Sequence, residues 1–299
     1  MANINSFTPL NPPLLRGEAD RQGGILLIGC GDVGLRLANK LISIGHQLTI
    51  IKRSPLELAG VTVINQDVSQ PFSLSSLSPD YIFIILSPSA STPEAYQQVF
   101  MDGLKNIAQA LAHHQPKRVF FVSSSSVFGQ DAGQWVDEQT PPEVAGFNGQ
   151  ILLQAEALCL QTWPSTILRC AGIYGEGRLR LINWLKAAKP VETGLWSNRI
   201  HIEDVVGILL HLLAVAQTEQ HLSPVYLGVD DCPVLQAEVL DWLAEQLALT
   251  PVPKTNTAPR NKRLSNQALK QLGYVFQYTD YKQGYRSLID DSRAALSEF

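Results

Sequence analysis

Ile25-Leu26-Leu27-Ile28-Gly29-Cys30-Gly31-Asp32-Val33-Gly34 decides the fold. Four apolar residues in a row, ended by glycine, suit a short strand buried on both faces of a parallel sheet, where no polar-out alternation is needed. The glycines then fall at GxGxxG spacing, and each has its own task. The first makes the tight turn, the second lets a phosphate approach the backbone, and the third lets a helix pack closely on the strand. A helix follows at once, because Val33, Leu37, Leu41 and Ile44 recur at helical spacing and Gly45 stands where a left-handed residue would stop it. Amides at the opening of that helix face outward from its positive dipole end. Gly29, Cys30, Gly31, Asp32, Val33 and Gly34 therefore read as a phosphate cradle for a dinucleotide.

Outward from this segment the alternation continues. Strand patterns at Gln47 to Ile51, Val61 to Ile64, Tyr81 to Leu86, Val119 to Ser123 and Thr166 to Cys170 are interleaved with helical stretches, the clearest from Pro93 to about Ala112. Parallel strands need crossovers and those crossovers are right-handed, so the pattern predicts an α/β fold with a Rossmann-type doubly wound parallel sheet over residues 25–172. Beyond Gly172, helical patterns at Leu179 to Ala188, Glu203 to Ala216 and Val234 to Leu247, with short strands such as Val225 to Leu227, predict a smaller C-terminal α+β lobe. That lobe takes up most of residues 173–299, with segments returning to the first domain. Residues 1–24 carry Pro9, Pro12, Pro13 and Gly17 with few large apolar side chains, and read as a flexible tail.

Cofactor choice is read at the end of the second strand. Sites for NAD place a carboxylate there for the ribose 2′-hydroxyl, about 20 residues past the glycines. This chain offers Lys52-Arg53-Ser54 instead. A guanidinium can hold a 2′-phosphate with two N–H donors, and a serine hydroxyl can add a third, so NADP(H) is preferred over NAD(H). Asp67, after the third strand, falls beside the adenine end.

Composition removes several function classes. A net charge of −4 and a pI near 5.9 supply no basic surplus for nucleic acid or anionic lipid. No apolar run approaches the roughly 20 residues that span a bilayer. The four cysteines, Cys30, Cys159, Cys170 and Cys232, are too widely spaced for a CxxC pair or a zinc site, so no metal is expected and a reducing cytoplasm fits them.

Three later segments carry a family resemblance. Ser123-Ser124-Ser125-Ser126-Val127-Phe128-Gly129 is similar to a serine-rich strand end followed by Val-Tyr-Gly. Leu168-Arg169-Cys170-Ala171-Gly172-Ile173-Tyr174-Gly175 is similar to an LRxxxxYG segment, and Arg199-Ile200-His201-Ile202-Glu203-Asp204-Val205 to an RxxHxxD segment. With the glycine motif, these resemble the extended short-chain dehydrogenases/reductases, in particular the NAD-dependent epimerase/dehydratase family, over nearly the whole chain after the tail. The resemblance implies a C-terminal lobe that supplies most substrate contacts, with Arg178, Arg199 and His201 on the substrate side. It also implies a homodimer built through two helices of the nucleotide domain.

The family's chemistry rests on a Ser or Thr, a Tyr, and a Lys four residues after that Tyr. Ser124 matches the first, but the Tyr and Lys positions fall on Asn148 and Leu152. Asn does not titrate near neutral pH, and Leu offers neither charge nor donor. No tyrosine lies between Gln130 and Ile173, and no lysine between Arg118 and Leu185, so a shifted register does not restore the pair. Ser125 and Ser126 stand where the family's dehydratases tend to carry an acid pair, which disfavours dehydration. Tyr174 is the nearest remaining phenol and the stand-in acid to test. Two functions stay open: an NADP(H)-linked oxidoreductase or epimerase acting on a sugar or other small carbonyl or hydroxyl compound, and a non-catalytic NADP(H) sensor or regulatory protein.

Overall fold

The computed structural model describes residues 24–297, with side chains as far as Asp290. Apart from Gly24, the tail expected at residues 1–24 lies outside the described residues. A seven-stranded, all-parallel sheet forms the centre. Its strands are β1 (Ile25–Ile28), β2 (Leu48–Lys52), β3 (Thr62–Asn65), β4 (Tyr81–Ile84), β5 (Arg118–Ser124), β6 (Ser165–Cys170) and β7 (Val225–Gly228), in the spatial order β3-β2-β1-β4-β5-β6-β7. Strand order reverses between β1 and β4, so the crevice beyond their carboxyl ends lies where doubly wound sheets bind ligands. β1 is central and all four of its residues are buried, as its unbroken apolar run requires.

Successive residues of each strand serve opposite cores. Ile25, Leu27, Ile50, Phe83 and Phe120 pack with helix α1 (Asp32–Ser43) and helix α3 (Ile202–Gln217) on one face. Leu26, Ile28, Ile82, Ile84 and Phe121 pack on the other with Leu104 and Ile107 and with helix α2 (Phe147–Thr162). Each fully buried aliphatic side chain contributes about 1.5–3 kcal/mol, and these two layers hold the crevice rigid. Helix α1 ends as its sequence dictates: Gly45 has φ +89°, and His46 N–H donates to the Leu41 carbonyl at 3.0 Å.

The stretch expected as one helix from Pro93 to about Ala112 is broken into Pro93–Tyr96, a π-helical turn over Gln97–Asp102 and Gly103–Ala110. Such turns add a residue per turn and re-aim side chains, and Val99 reaches the crevice from this one.

Two segments from the C-terminal half belong to the first domain: β7 extends the sheet beside β6, and α3 packs on the same face as α1. The smaller lobe has its own core, in which helix α4 (Gln236–Leu247) and helix α5 (Tyr281–Ser297) pack with Leu181, Leu185, Val191 and Val252. Where the two parts meet, Gly172–Tyr174 pairs in parallel with Arg199–His201. Asp204 anchors this junction, taking hydrogen bonds from the Tyr274 hydroxyl at 2.9 Å and from the Gln277 and Tyr278 amides at 2.7 and 2.9 Å.

Candidate functional site

The three glycines of the first turn differ in what a side chain would meet. At Gly29, with φ +92°, a Cβ would run into the Ile85 carbonyl, and at Gly34 it would press on the Gly29 carbonyl, so both are demanded by packing. At Gly31 a Cβ would meet nothing within 4 Å. No side chain caps the opening of α1. The loop thus presents bare amides to empty space at the one glycine that the fold itself does not need, which is the arrangement a pyrophosphate requires.

A cleft of about 360 Å³ opens in front of this loop. Gly29, Cys30, Gly31, Lys52, Arg53, Ser54 and Asp67, all expected at the cofactor, line it together. The remaining wall is mostly apolar, from Ile51, Val68, Ile85, Leu86 and Val99, with Gln66 beside Asp67 and with Ser87 and Pro88 closing the end of β4. Those wall residues escaped the sequence reading because nothing in a strand end marks which side chain turns toward a neighbouring loop.

Asp32, Val33 and Gly34 do not line the cleft. Val33 is buried in the α1 core, and Gly34 makes the close helix contact. Asp32 pairs with Arg36 at 3.1 Å and with Arg178 at 2.7 Å. Burial acts to raise the Asp32 pKa, but hydrogen bonds and charge from Arg178 and Arg36 outweigh it and hold the carboxyl below its usual range. Arg36 also reaches Glu176 and Glu203, at 2.9 and 2.7 Å, so one ionic lattice joins the glycine loop, the Glu176–Arg178 loop and α3. Burial pushes the Cys30 thiol up, against a smaller downward pull from Lys52, which leaves it protonated and unreactive at neutral pH.

The expected catalytic and substrate residues divide between the end of β5, which carries Ser124, and the lobe junction, which gathers Tyr174, Arg178, Arg199 and His201. Ser124 ends β5, where its Oγ accepts from the Ser126 amide at 3.2 Å and caps the short turn Ser125–Val127. Leu152 of α2 is buried in the core. Tyr174 is 4 % exposed, stacks on Tyr285 at 4.7 Å between ring centres and meets His201 edge-on. Its hydroxyl lies against Gly284 and donates weakly to the Asp280 carbonyl at 3.4 Å, and burial drives its pKa up. A phenol so enclosed packs the lobe, with part of its side chain in the wall of a small cavity.

His201 is likewise buried. Its Nδ1 accepts from the Glu203 amide and caps α3, and burial lowers its pKa to about 4, so the ring is neutral at physiological pH. It holds the junction, with its ring against Tyr278. Glu138 closes its loop by accepting from the Leu227 amide at 2.9 Å. Arg178 and Arg199 do line a separate, smaller cavity, with Tyr174 in its wall.

Asp230 was not legible as special, because Asp230-Asp231 reads as an ordinary acidic turn. It is 1 % exposed. Burial pushes its carboxyl from 3.8 up to about 8, against downward pulls from Arg199 and the Cys232 amide, while Asp231 and Asp280 add repulsion. The folded protein therefore holds this proton more tightly than the unfolded chain does. The stability it contributes is complete below about pH 4 and is lost as pH rises to about 8. Asp230→Asn removes that loss, so urea unfolding should show it as more stable than the native protein at pH 8 and closest to it at pH 5. A native-like decline in the variant would refute the assignment.

Comparison with known proteins decides the family. The model of the NAD-dependent epimerase/dehydratase family matches residues 25–226. The chain belongs to this family. Protein YeeZ of Escherichia coli K12 is 30% identical over 279 residues, covering 86% of this chain and 96% of YeeZ. Among solved structures, a candidate NAD-dependent epimerase/dehydratase from Methylobacillus flagellatus is 36% identical with a TM-score of 0.79, covering 91% of this chain and 99% of that one. A conserved protein of unknown function from Silicibacter pomeroyi DSS is 25% identical with a TM-score of 0.71, covering 90% and 99%. An NAD-dependent family accords with the open amides at Gly31. Among the described residues no helix is long and apolar enough to cross a membrane, and no cluster of His, Cys, Asp and Glu is arranged to hold a metal ion.

Proposed function

We propose that this family member uses NADP(H) and acts as an oxidoreductase or epimerase on a sugar or another small carbonyl or hydroxyl compound. The observation that carries the coenzyme choice is the far wall of the cleft, where Lys52, Arg53 and Ser54 follow β2 and no carboxylate stands at that strand end. Arg53 is exposed and has no ion-pair partner among the described residues, so its guanidinium is available to a 2′-phosphate. Asp67 stays on the adenine side, its carboxylate occupied by the Ser69 amide at 3.0 Å.

The nicotinamide coenzyme, when bound, supplies hydride transfer. Gly31 and the α1 amides would hold its pyrophosphate, Arg53 and Ser54 its 2′-phosphate, and the apolar wall its adenine. Ser124 can orient a substrate oxygen but has no base beside it. With Asn148 and Leu152 at the family's Tyr and Lys positions, proton transfer falls to substrate or solvent, which slows turnover. That same pair of substitutions favours the second reading, a non-catalytic NADP(H) sensor.

Coenzyme fluorescence titration of the purified chain tests both. Arg53→Asp should weaken NADPH roughly 10- to 100-fold, the worth of one or two charge-assisted hydrogen bonds, and leave NADH almost unchanged. Equal loss of both would remove the preference. Tight NADPH binding without turnover on a panel of sugar nucleotides and carbonyl compounds would select the sensor.

A further inference from the structure

Arg178 reaches the glycine loop from the far half of the chain. The loop that carries it follows the Gly172–Tyr174 strand and turns back at once, with the Arg178 amide donating to the Gly175 carbonyl at 3.0 Å. Gly175 and Gly177 have φ +142° and +74°, and a Cβ at Gly175 would run into Ile202 and His201, so the turn is fixed against the start of α3. The turn delivers Arg178 to Asp32, its one ion-pair partner among the described residues, with Nε 2.7 Å from Oδ2.

Asp32 stands in an awkward place for a phosphate cradle. It is the first residue of α1, next to Gly31, where the helix presents its bare amides. A carboxylate there interacts with the same positive dipole end that a pyrophosphate would use, and like charges well inside the screening length of about 10 Å at 0.1 M salt repel one another. Asp32 therefore opposes an incoming dianion unless a cation cancels its charge. Arg36 cannot do so alone, because its guanidinium also serves Glu203 at 2.7 Å and Glu176 at 2.9 Å, leaving one cation among three carboxylates. Arg178 supplies the second positive charge and directs it at Asp32.

We infer that Arg178 is a positioning residue for the coenzyme that acts through Asp32: it cancels the carboxylate's charge beside the pyrophosphate without itself lining the coenzyme cleft. This role rests on the reading of Gly31 and the α1 amides as the seat of a coenzyme pyrophosphate, and it makes coenzyme affinity depend on a loop some 140 residues away in the chain. Because NADPH and NADH share the pyrophosphate, Arg178 should serve both alike, whereas Arg53 distinguishes them.

Fluorescence titration of the full chain with NADPH and, separately, NADH, at about 0.01 M salt, tests it. Arg178→Gln should weaken both coenzymes by roughly three- to tenfold. Asp32→Asn should bind both at least as tightly as the native chain. The double variant should return to within about twofold of native, because with the carboxylate gone there is no charge left to cancel. Arg178→Lys, which keeps the charge, should stay close to native. At about 1 M salt, where screening acts beyond about 3 Å, the Arg178→Gln deficit should shrink. Both side chains are 37% exposed, so these variants should fold, and a melting curve of each checks it. Native affinity in Arg178→Gln overturns the role, and so does a loss that persists undiminished in the double variant, which would make Arg178 a direct contact of the ligand. The native titration keeps the two readings apart: coenzyme binding that ignores Arg178→Gln overturns the role of Arg178 alone, while a native chain that binds neither coenzyme refutes the cradle and this role with it.

Discussion

Gly31→Val is expected to leave the melting temperature within a few degrees of native and to reduce NADPH binding by at least roughly 100-fold. The backbone at Gly31 has φ −80° and ψ −156°, an extended conformation open to any residue, and its added side chain meets no protein atom. The branched side chain instead occupies the approach to the α1 amides and blocks the close contact that phosphate needs. Gly34→Val is the contrasting control. Its Cβ would press on the Gly29 carbonyl, which can retreat only by moving β1 or α1, so unfolding in urea should show a loss of about 3 kcal/mol. The two glycines lie three residues apart in one motif, and the measurements should divide them: binding lost with the fold intact, against stability lost outright. Native-like NADPH affinity in Gly31→Val would refute the cradle.

Breaking the buried pair of Glu156 and Arg169 should cost about 3–5 kcal/mol. Arg169 Nε lies 3.1 Å from both Glu156 oxygens and Nη2 lies 2.7 Å from Oε2, with side chains only 7% and 2% exposed. The Ser123 hydroxyl donates to the same carboxylate at 2.6 Å, and the guanidinium sits over Phe128. This network ties β5, β6 and α2 together immediately beneath Ser124. Glu156→Leu strands a cation in the core, and Arg169→Met strands an anion. The double variant strands neither, so it should recover most of the loss, giving a large coupling energy in a mutant cycle read by denaturant unfolding. Single variants within about 1 kcal/mol of native would show that the pair does not hold β5, β6 and α2 together.

How far the sequence could be read depended on the range of the forces involved. The β1 run, the glycine spacing and the stop at Gly45 are set by backbone sterics and periodicity within a dozen residues, and each was legible without coordinates. So was the Lys52-Arg53-Ser54 strand end, because its distance from the glycines is a property of one βαβ unit. Ser124 was legible at its strand end, but its use as a local cap depends on the turn that follows it. Tyr174 and His201 were assigned to the site because their motifs adjoin it. Their burial depends on Tyr285, Tyr278 and Gly284, about 80 to 110 residues away in the chain.

By itself the amino-acid sequence determined a doubly wound Rossmann-type fold and the place of the glycine turn after its first strand. Those features are local patterns of size, polarity and chain flexibility. Only the tertiary structure decided that Arg178 pairs with Asp32 and that Arg199 and Asp230 are both buried. A charge's partner and its solvation are properties of three-dimensional surroundings, and no spacing along the chain encodes them.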